Sequence, residues 1–153
     1  MVRIQSETWA LVADGAKARV FKLGAKMGEI EEIERLHSAE AGMPSRELVS
    51  DAGSRVRHAA GFPGSHTKQA KSDAHDMAAK KFAVSLMQRM EKAAGRNDFR
   101  QLVVVADPHT LGYFRQNMPQ NVAARVSREL NADLTWMPAE RIDRRIRASL
   151  ELR

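Results

Sequence analysis

The sequence predicts an α/β fold, a mixed sheet with helices packed against it, on three observations. Two unbroken apolar runs, "TWALVA" at Thr8–Ala13 and "QLVVVA" at Gln101–Ala106, have no polar face and read as strands covered on both sides. Ala79, Phe82, Ala83, Leu86 and Met90 recur at helical spacing between those runs, and Ile142, Ile146 and Leu150 do so after them. The third observation is length: 153 residues bury one hydrophobic core comfortably and two with difficulty, so residues 1–153 are expected to form a single domain.

Each element follows in order. After the first strand, Asp14-Gly15 is a tight-turn signal, and "ARVFKL" at Ala18–Leu23 supplies the second arm of a hairpin. A second turn, "GAKMG", leads into "EIEEIERLH". There Ile30, Ile33 and Leu36 recur at threes, nearer to a helix than to alternation, yet a third strand completes a meander and is the assignment taken. Residues 38–71 hold four of the nine glycines (42, 53, 61 and 64) and two of the five prolines, without periodicity. That exceeds the roughly 12 to 15 residues of ordinary connections and predicts a long loop, basic in its second half.

Ser72 or Asp73 is placed to cap the long helix and Gly95 to stop it. Asp107-Pro108 ends the second apolar strand, and "HTLGYFRQNM" reads as a short helix. "NVAARVSREL" fits both helical spacing and, from Val126 to Leu130, alternation. Pro138 then opens a C-terminal amphipathic helix. Three strands followed by alternating helices and strands is the element order of a ribonuclease-H-like sandwich.

Charge and composition narrow the function. Twenty-five Lys and Arg against nineteen Asp and Glu leave a net +6. The excess is uneven: residues 29–34, "EIEEIE", are acidic, whereas no acid lies between Asp51 and Asp73. Such a balance favours polyanionic partners. The absence of cysteine excludes disulfides, thiolate zinc sites and cysteine nucleophiles. "MVRIQSETWALVADG" lacks the pattern of a secretory signal, and no apolar run approaches the ~20 residues of a membrane span, so a cytoplasmic protein without membrane insertion is expected.

Taken together, "WALVADGAKARVFKL", "SDAGSRVRHA", "KKFAVSLMQRM", "QLVVVADPHTLGYFRQNM" and "ELNADLTWMPAERI" resemble, in order, the bacterial host-attachment protein family, over about Trp9 to Ile146. That family is related to the middle domain of archaeo-eukaryotic peptide-chain release factors. The resemblance implies a ribonuclease-H-like mixed five-stranded sheet, with Glu29–Leu36 as third strand and the stretch near Arg125–Leu130 as fifth. In the release-factor domain, the loop before the long helix carries a Gly-Gly-Gln tip that enters the ribosome. Here Gly61 and Gly64 are separated by Phe62-Pro63, and Gln69 follows Lys68, so peptidyl-tRNA hydrolysis by that device is not expected.

The candidate chemistries are few. Arg55, Arg57, His58, Lys68 and Lys71 form a candidate nucleic-acid-binding set, with Ser54, Ser65 and backbone amides near Gly53, Gly61 and Gly64 as further phosphate donors. The competing account is a solvated loop whose charges serve solubility. No Walker-type or strand-linked G-x-G-x-x-G pattern is present, and no nucleophile elbow. His58, His66 and His75, eight and nine residues apart, match no compact metal motif, and neither metal nor cofactor is expected. Asp14 and Asp107 each follow a buried strand, and in this fold those strands are neighbours, so two carboxylates converge as in two-metal nucleases, with Asp73 or Asp76 needed in support. Both also suit plainer roles, as a turn former and a helix cap. Arg141, Arg144, Arg145 and Arg147 read as the solvated face of the last helix.

The leading expectation is a non-catalytic module that binds RNA or a ribosome-related surface through the basic loop. The alternatives are a metal-dependent nuclease using Asp14 and Asp107, and a protein-interaction module linked to host attachment.

Overall fold

The computed structural model describes residues 7–40 and 63–151, with the side chains of the second stretch described from residue 73 onward. Strands β1 (Thr8–Ala13), β2 (Lys17–Leu23) and β3 (Ile30–His37) form an antiparallel meander. Helix α1 (Pro63–Gly95) leads to β4 (Gln101–Ala106), then α2 (Pro108–Asn117), the single turn α3 (Gln120–Ala123), β5 (Val126–Asn131) and α4 (Ala139–Glu151). The sheet order is β3-β2-β1-β4-β5, with β4 parallel to both β1 and β5. This is the ribonuclease-H-like mixed five-stranded sheet expected from the sequence.

Strand alternation divides the core in two. Leu11, Ala13, Val20, Leu102 and Val104 face α1, where Phe82, Leu86, Met87 and Met90 meet them, together with Phe114 of α2. The intervening residues Ala10, Val12, Phe21, Val103 and Val105 face α4, against Ile142 and Ile146. Because β1 and β4 are buried on both faces, their sequences are unbroken apolar runs. Edge strand β3 instead alternates half-buried and exposed positions.

Two elements depart from expectation. Helix α1 begins at Pro63, nine residues before Ser72, so the loop predicted over 38–71 gives way to helix over its last nine residues. Proline at a first helical position has its φ already set and loses no hydrogen bond there, which makes it a stronger start than an internal Ser-Asp pair. Second, β3 carries an irregularity: Val20 pairs with Glu34 but Phe21 pairs with Glu32, leaving Ile33 as an extra residue. The bulge accounts for the three-residue spacing of Ile30, Ile33 and Leu36, which imitates a helix.

The C-terminal helix is held by more than its apolar stripe. Arg147 is buried, not solvated as the sequence suggested, and its Nε donates to Asp143 Oδ1 at 2.7 Å. Its Nη2 donates to the carbonyls of Gly24 and Glu29 in the β2–β3 turn. Asp143 Oδ2 accepts from the amide of Gly28, whose φ of +93° only glycine adopts readily. The pair therefore ties α4 to the hairpin turn. The other arginines of this face, Arg141, Arg144 and Arg145, are exposed as expected.

Asp143 is 1 % exposed, so removing its charge leaves Arg147 buried without compensation. Asp143→Asn is expected to lower unfolding free energy by about 3 to 5 kcal/mol in urea denaturation. A loss below about 1 kcal/mol, the range of surface pairs, would show that the clamp adds little.

Candidate functional site

The parallel register of β1 and β4 aligns Ala13 with Ala106, which places Asp14 and Asp107 side by side just beyond the same end of the sheet. The sequence inference that these two strands are neighbours thus holds. Local donors occupy both carboxylates. Asp14 Oδ1 accepts from the amides of Ala16 and Lys17, each at 2.7 Å, which closes the β1–β2 turn. Gly15 in that turn lies so close to α1 that a Cβ there would stand 3.3 Å from the Ala79 methyl. Asp107 is the N-cap of α2, accepting from the Thr110 amide at 3.2 Å and its hydroxyl at 2.7 Å. Asp73 and Asp76 are exposed on α1. Among the described residues, no group of three or more His, Cys, Asp or Glu is arranged to hold a metal ion.

Of the basic set, Arg55, Arg57 and His58 lie outside the described residues, as does His66's side chain. Lys68 and Lys71 belong to the start of α1, their side chains likewise outside the description. His75, the third of the histidines, is half-buried further along α1.

The described residues contain a different basic site. On the face of the sheet that α4 covers, the β2–β3 ladder runs past the helix, and Lys17 pairs with His37 while Arg19 pairs with Arg35. Directly opposed like charges are costly on a sheet. The cost is offset by Glu32, which the bulge at Ile33 brings onto the same face; in unbroken alternation residues three apart point to opposite faces. Glu32 accepts two bonds from Arg35, at 2.7 and 3.0 Å, and one from Arg19 Nη2 at 2.9 Å. The Arg35 guanidinium first, then that of Arg19, hold the Glu32 carboxyl well below its ordinary 4.5, at about 2.

Arg19 is buried and also reaches across to the segment between β5 and α4. Its Nη1 donates to the carbonyls of Thr135 at 3.1 Å and Met137 at 2.6 Å, and its guanidinium lies 5.0 Å from the Phe21 ring centre. Thr135 Oγ1 lies 3.1 Å from Asp14 Oδ2 and 3.0 Å from Asp133 Oδ1, so the same segment is tied to the β1–β2 turn. Between this segment and the ladder end opens a cavity of about 570 Å³. Lys17, Arg19, Arg35 and His37 line one side, and Trp136 stands at the other, 68 % exposed. The indole Nε1 donates to the Asp133 carbonyl at 3.1 Å, which restrains the ring.

Sequence reasoning missed this site. The signal was present in "KAR" and "RLH", two short segments with cations at alternate positions on paired strands, but it becomes a site only when the register is known. Trp136 is far removed along the chain, and nothing local marks it as a wall of the same cavity.

Comparison with known proteins gives the following. The model of a family described as "Protein required for attachment to host cells" matches residues 9–146. No curated protein matches the sequence. One similar solved structure is an archaeal translation termination factor, at 7% identity and a TM-score of 0.48, over 94% of this chain and 39% of that one. The chain thus spans well under half of that factor's length.

Glu32 supplies a pH signature for the basic site. Its lowered value means that its stabilisation is fully present above about 4.5 and is lost as pH falls through about 2. Glu32→Gln is expected to cost about 1 to 3 kcal/mol near neutral pH, after allowance for partial exposure. In urea titrations, the difference between wild type and variant should shrink toward zero as pH approaches about 2. A difference independent of pH would mean that Glu32 does not bear the two arginines.

Proposed function

Since the chain belongs to the family of proteins required for attachment to host cells, we propose that it serves as a non-catalytic module binding RNA or a ribonucleoprotein surface through the basic segment 52–71. The observation that carries this reading is the charge pattern. Arg55, Arg57, Lys68 and Lys71 fall within seventeen residues that contain no acid, inside an acid-free run that extends from residue 52 to residue 72. A docked polyanion meets several of these cations at once, and each such meeting releases counterions from the phosphate backbone. Lys68 and Lys71 lie one turn apart at the start of α1, which gives part of the segment a helical frame.

The geometry of the strand-end acids favours this reading over a nuclease. Asp14 and Asp107 stand together, but both carboxylates serve the turn and the cap that end their strands. Freeing them for metal ions would cost those two structures their donors' partners. With purified protein and magnesium or manganese, no cleavage of single-stranded RNA or DNA is expected; metal-dependent cutting that disappears in Asp14→Asn would establish the nuclease instead.

Replacing Arg55, Arg57, Lys68 and Lys71 with Gln is expected to weaken binding of single-stranded RNA. The slope of log affinity against log salt should become shallower by about 0.7 for each phosphate that the replaced cations neutralise in the parent complex. Neutralising the exposed Arg141, Arg144 and Arg145 instead should change the slope less. An unaltered slope in the first variant, or no RNA binding by the parent protein at low salt, would reduce the segment to a solvated connection.

A further inference from the structure

The geometry points to a second binding site, for a single nucleotide unit, in the cavity between the β2–β3 ladder end and Trp136. It shares with the preceding proposal only the expectation of a nucleic-acid ligand, and uses none of residues 52–71.

Charge is the first argument. The lining residues include Lys17, Arg19 and Arg35, besides His37, and no carboxylate. Three acids around it are engaged with protein donors: Glu32 with both arginines, Asp14 with two amides, and Asp133 with Thr135. Among the described residues, no carboxylate pairs with Lys17 or His37, which sit opposite each other at the open end of the ladder. A surface that brings like charges together across a ladder, with one acid to offset them, is built to receive an anion.

The aromatic wall is the second argument. Trp136 is the most exposed large apolar side chain among the described residues, yet its indole nitrogen is hydrogen-bonded and its segment is held from both sides by Arg19. A restrained, solvent-facing indole is a stacking platform rather than a loose surface residue. Ala18, Leu36, Met137 and Pro138 add apolar lining between the ring and the cations.

Size is the third. A cavity of about 570 Å³ falls in the range of small-molecule sites, roughly 300 to 1,000 Å³. An inorganic anion leaves the indole unused, and a neutral apolar ligand leaves Lys17 without a counter-charge. A nucleotide uses both: its base stacks on Trp136 and its phosphate meets Lys17 and Arg35, with the His37 ring beside them. The unit is either a free mononucleotide or one nucleotide of a strand.

The test is titration of the full chain with adenosine 5′-monophosphate, adenosine, inorganic phosphate and hexa-adenylate, read by tryptophan fluorescence and calorimetry. Trp9→Phe removes the second indole, which packs against Phe99, so that Trp136 alone reports. The monophosphate is expected to quench Trp136 saturably and to bind at least about tenfold more tightly than adenosine or phosphate alone. Trp136→Ala, and Lys17→Gln with Arg35→Gln, should each lower its affinity about tenfold. These three side chains are exposed and the segment is anchored through its backbone, so circular dichroism should be unchanged. Hexa-adenylate binding more tightly than the monophosphate identifies a strand as the source; equal or weaker binding identifies the free nucleotide.

Absence of saturable nucleotide binding at low salt, phosphate binding as tightly as the monophosphate, or full affinity in Trp136→Ala would overturn the site. The two proposals fail separately. Hexa-adenylate binding that is lost in the segment 52–71 variant but intact in Trp136→Ala removes this site and keeps the segment. Monophosphate binding that survives in the segment variant, with an unaltered RNA salt slope, does the reverse.

Discussion

Everything else in the molecule is arranged around two strands that have no solvent face. β1 and β4 lie side by side in the middle of the sheet, and their runs, Ala10 to Ala13 and Leu102 to Ala106, are buried on both sides. Such strands demand two covering layers, and the chain provides α1 for one face and α4 for the other. They also demand an orderly exit. Where the apolar pairing stops, at Ala13 and Ala106, the backbone turns away and its first free amides need acceptors. Asp14 and Asp107 meet that demand, which gives the acids at both strand ends a structural role.

The central pair and the covering helices were legible in the sequence because each expresses one dominant period. "TWALVA" and "QLVVVA" match β1 and β4 residue for residue. The parts that were hard to read are those where two physical effects overlap. In β3, a bulge interrupts alternation and leaves apolar residues three apart. At the start of α1, a Ser-Asp pair that looks like a cap sits inside a helix already begun at Pro63. On α4, Arg147 shares its helix with three exposed arginines, and only the arrival of the hairpin turn, with Gly28 in its left-handed conformation, decides that this one is buried. Adjacency of Asp14 and Asp107 was likewise foreseeable from the order of strands, whereas their hydrogen-bonded roles depend on turns too short to carry a pattern. The basic cavity was not foreseeable, since it needs the β2–β3 register and a wall from a distant loop.

Ile33 shows how much one inserted residue controls. An uninterrupted β3 would send Glu32 and Arg35 to opposite faces, and Arg19 would confront Arg35 with no acid between them. With the bulge, one carboxylate serves both guanidinium groups, and among the described residues none pairs with Lys17 toward the opening. The same edge strand uses Glu34 on its other face to pair with Arg89 of α1 at 2.8 Å, so its acidic residues are distributed by face rather than pooled. The acidity of "EIEEIERLH" is in this sense structural, and the basic character of the site survives it.

The segment carrying Trp136 is gripped through the carbonyl oxygens on either side of that residue, Thr135 and Met137, and not through the indole itself. Main-chain oxygens are the same whatever side chain accompanies them. Position 136 gives the frame the local bond from its indole to the Asp133 carbonyl, while the grip from β2 is independent of its side chain, so a change of residue there alters chiefly what the mouth of the cavity presents. In any chain sharing Arg19 and this segment, a change at that position reshapes the wall of the cavity while the main-chain grip stays the same.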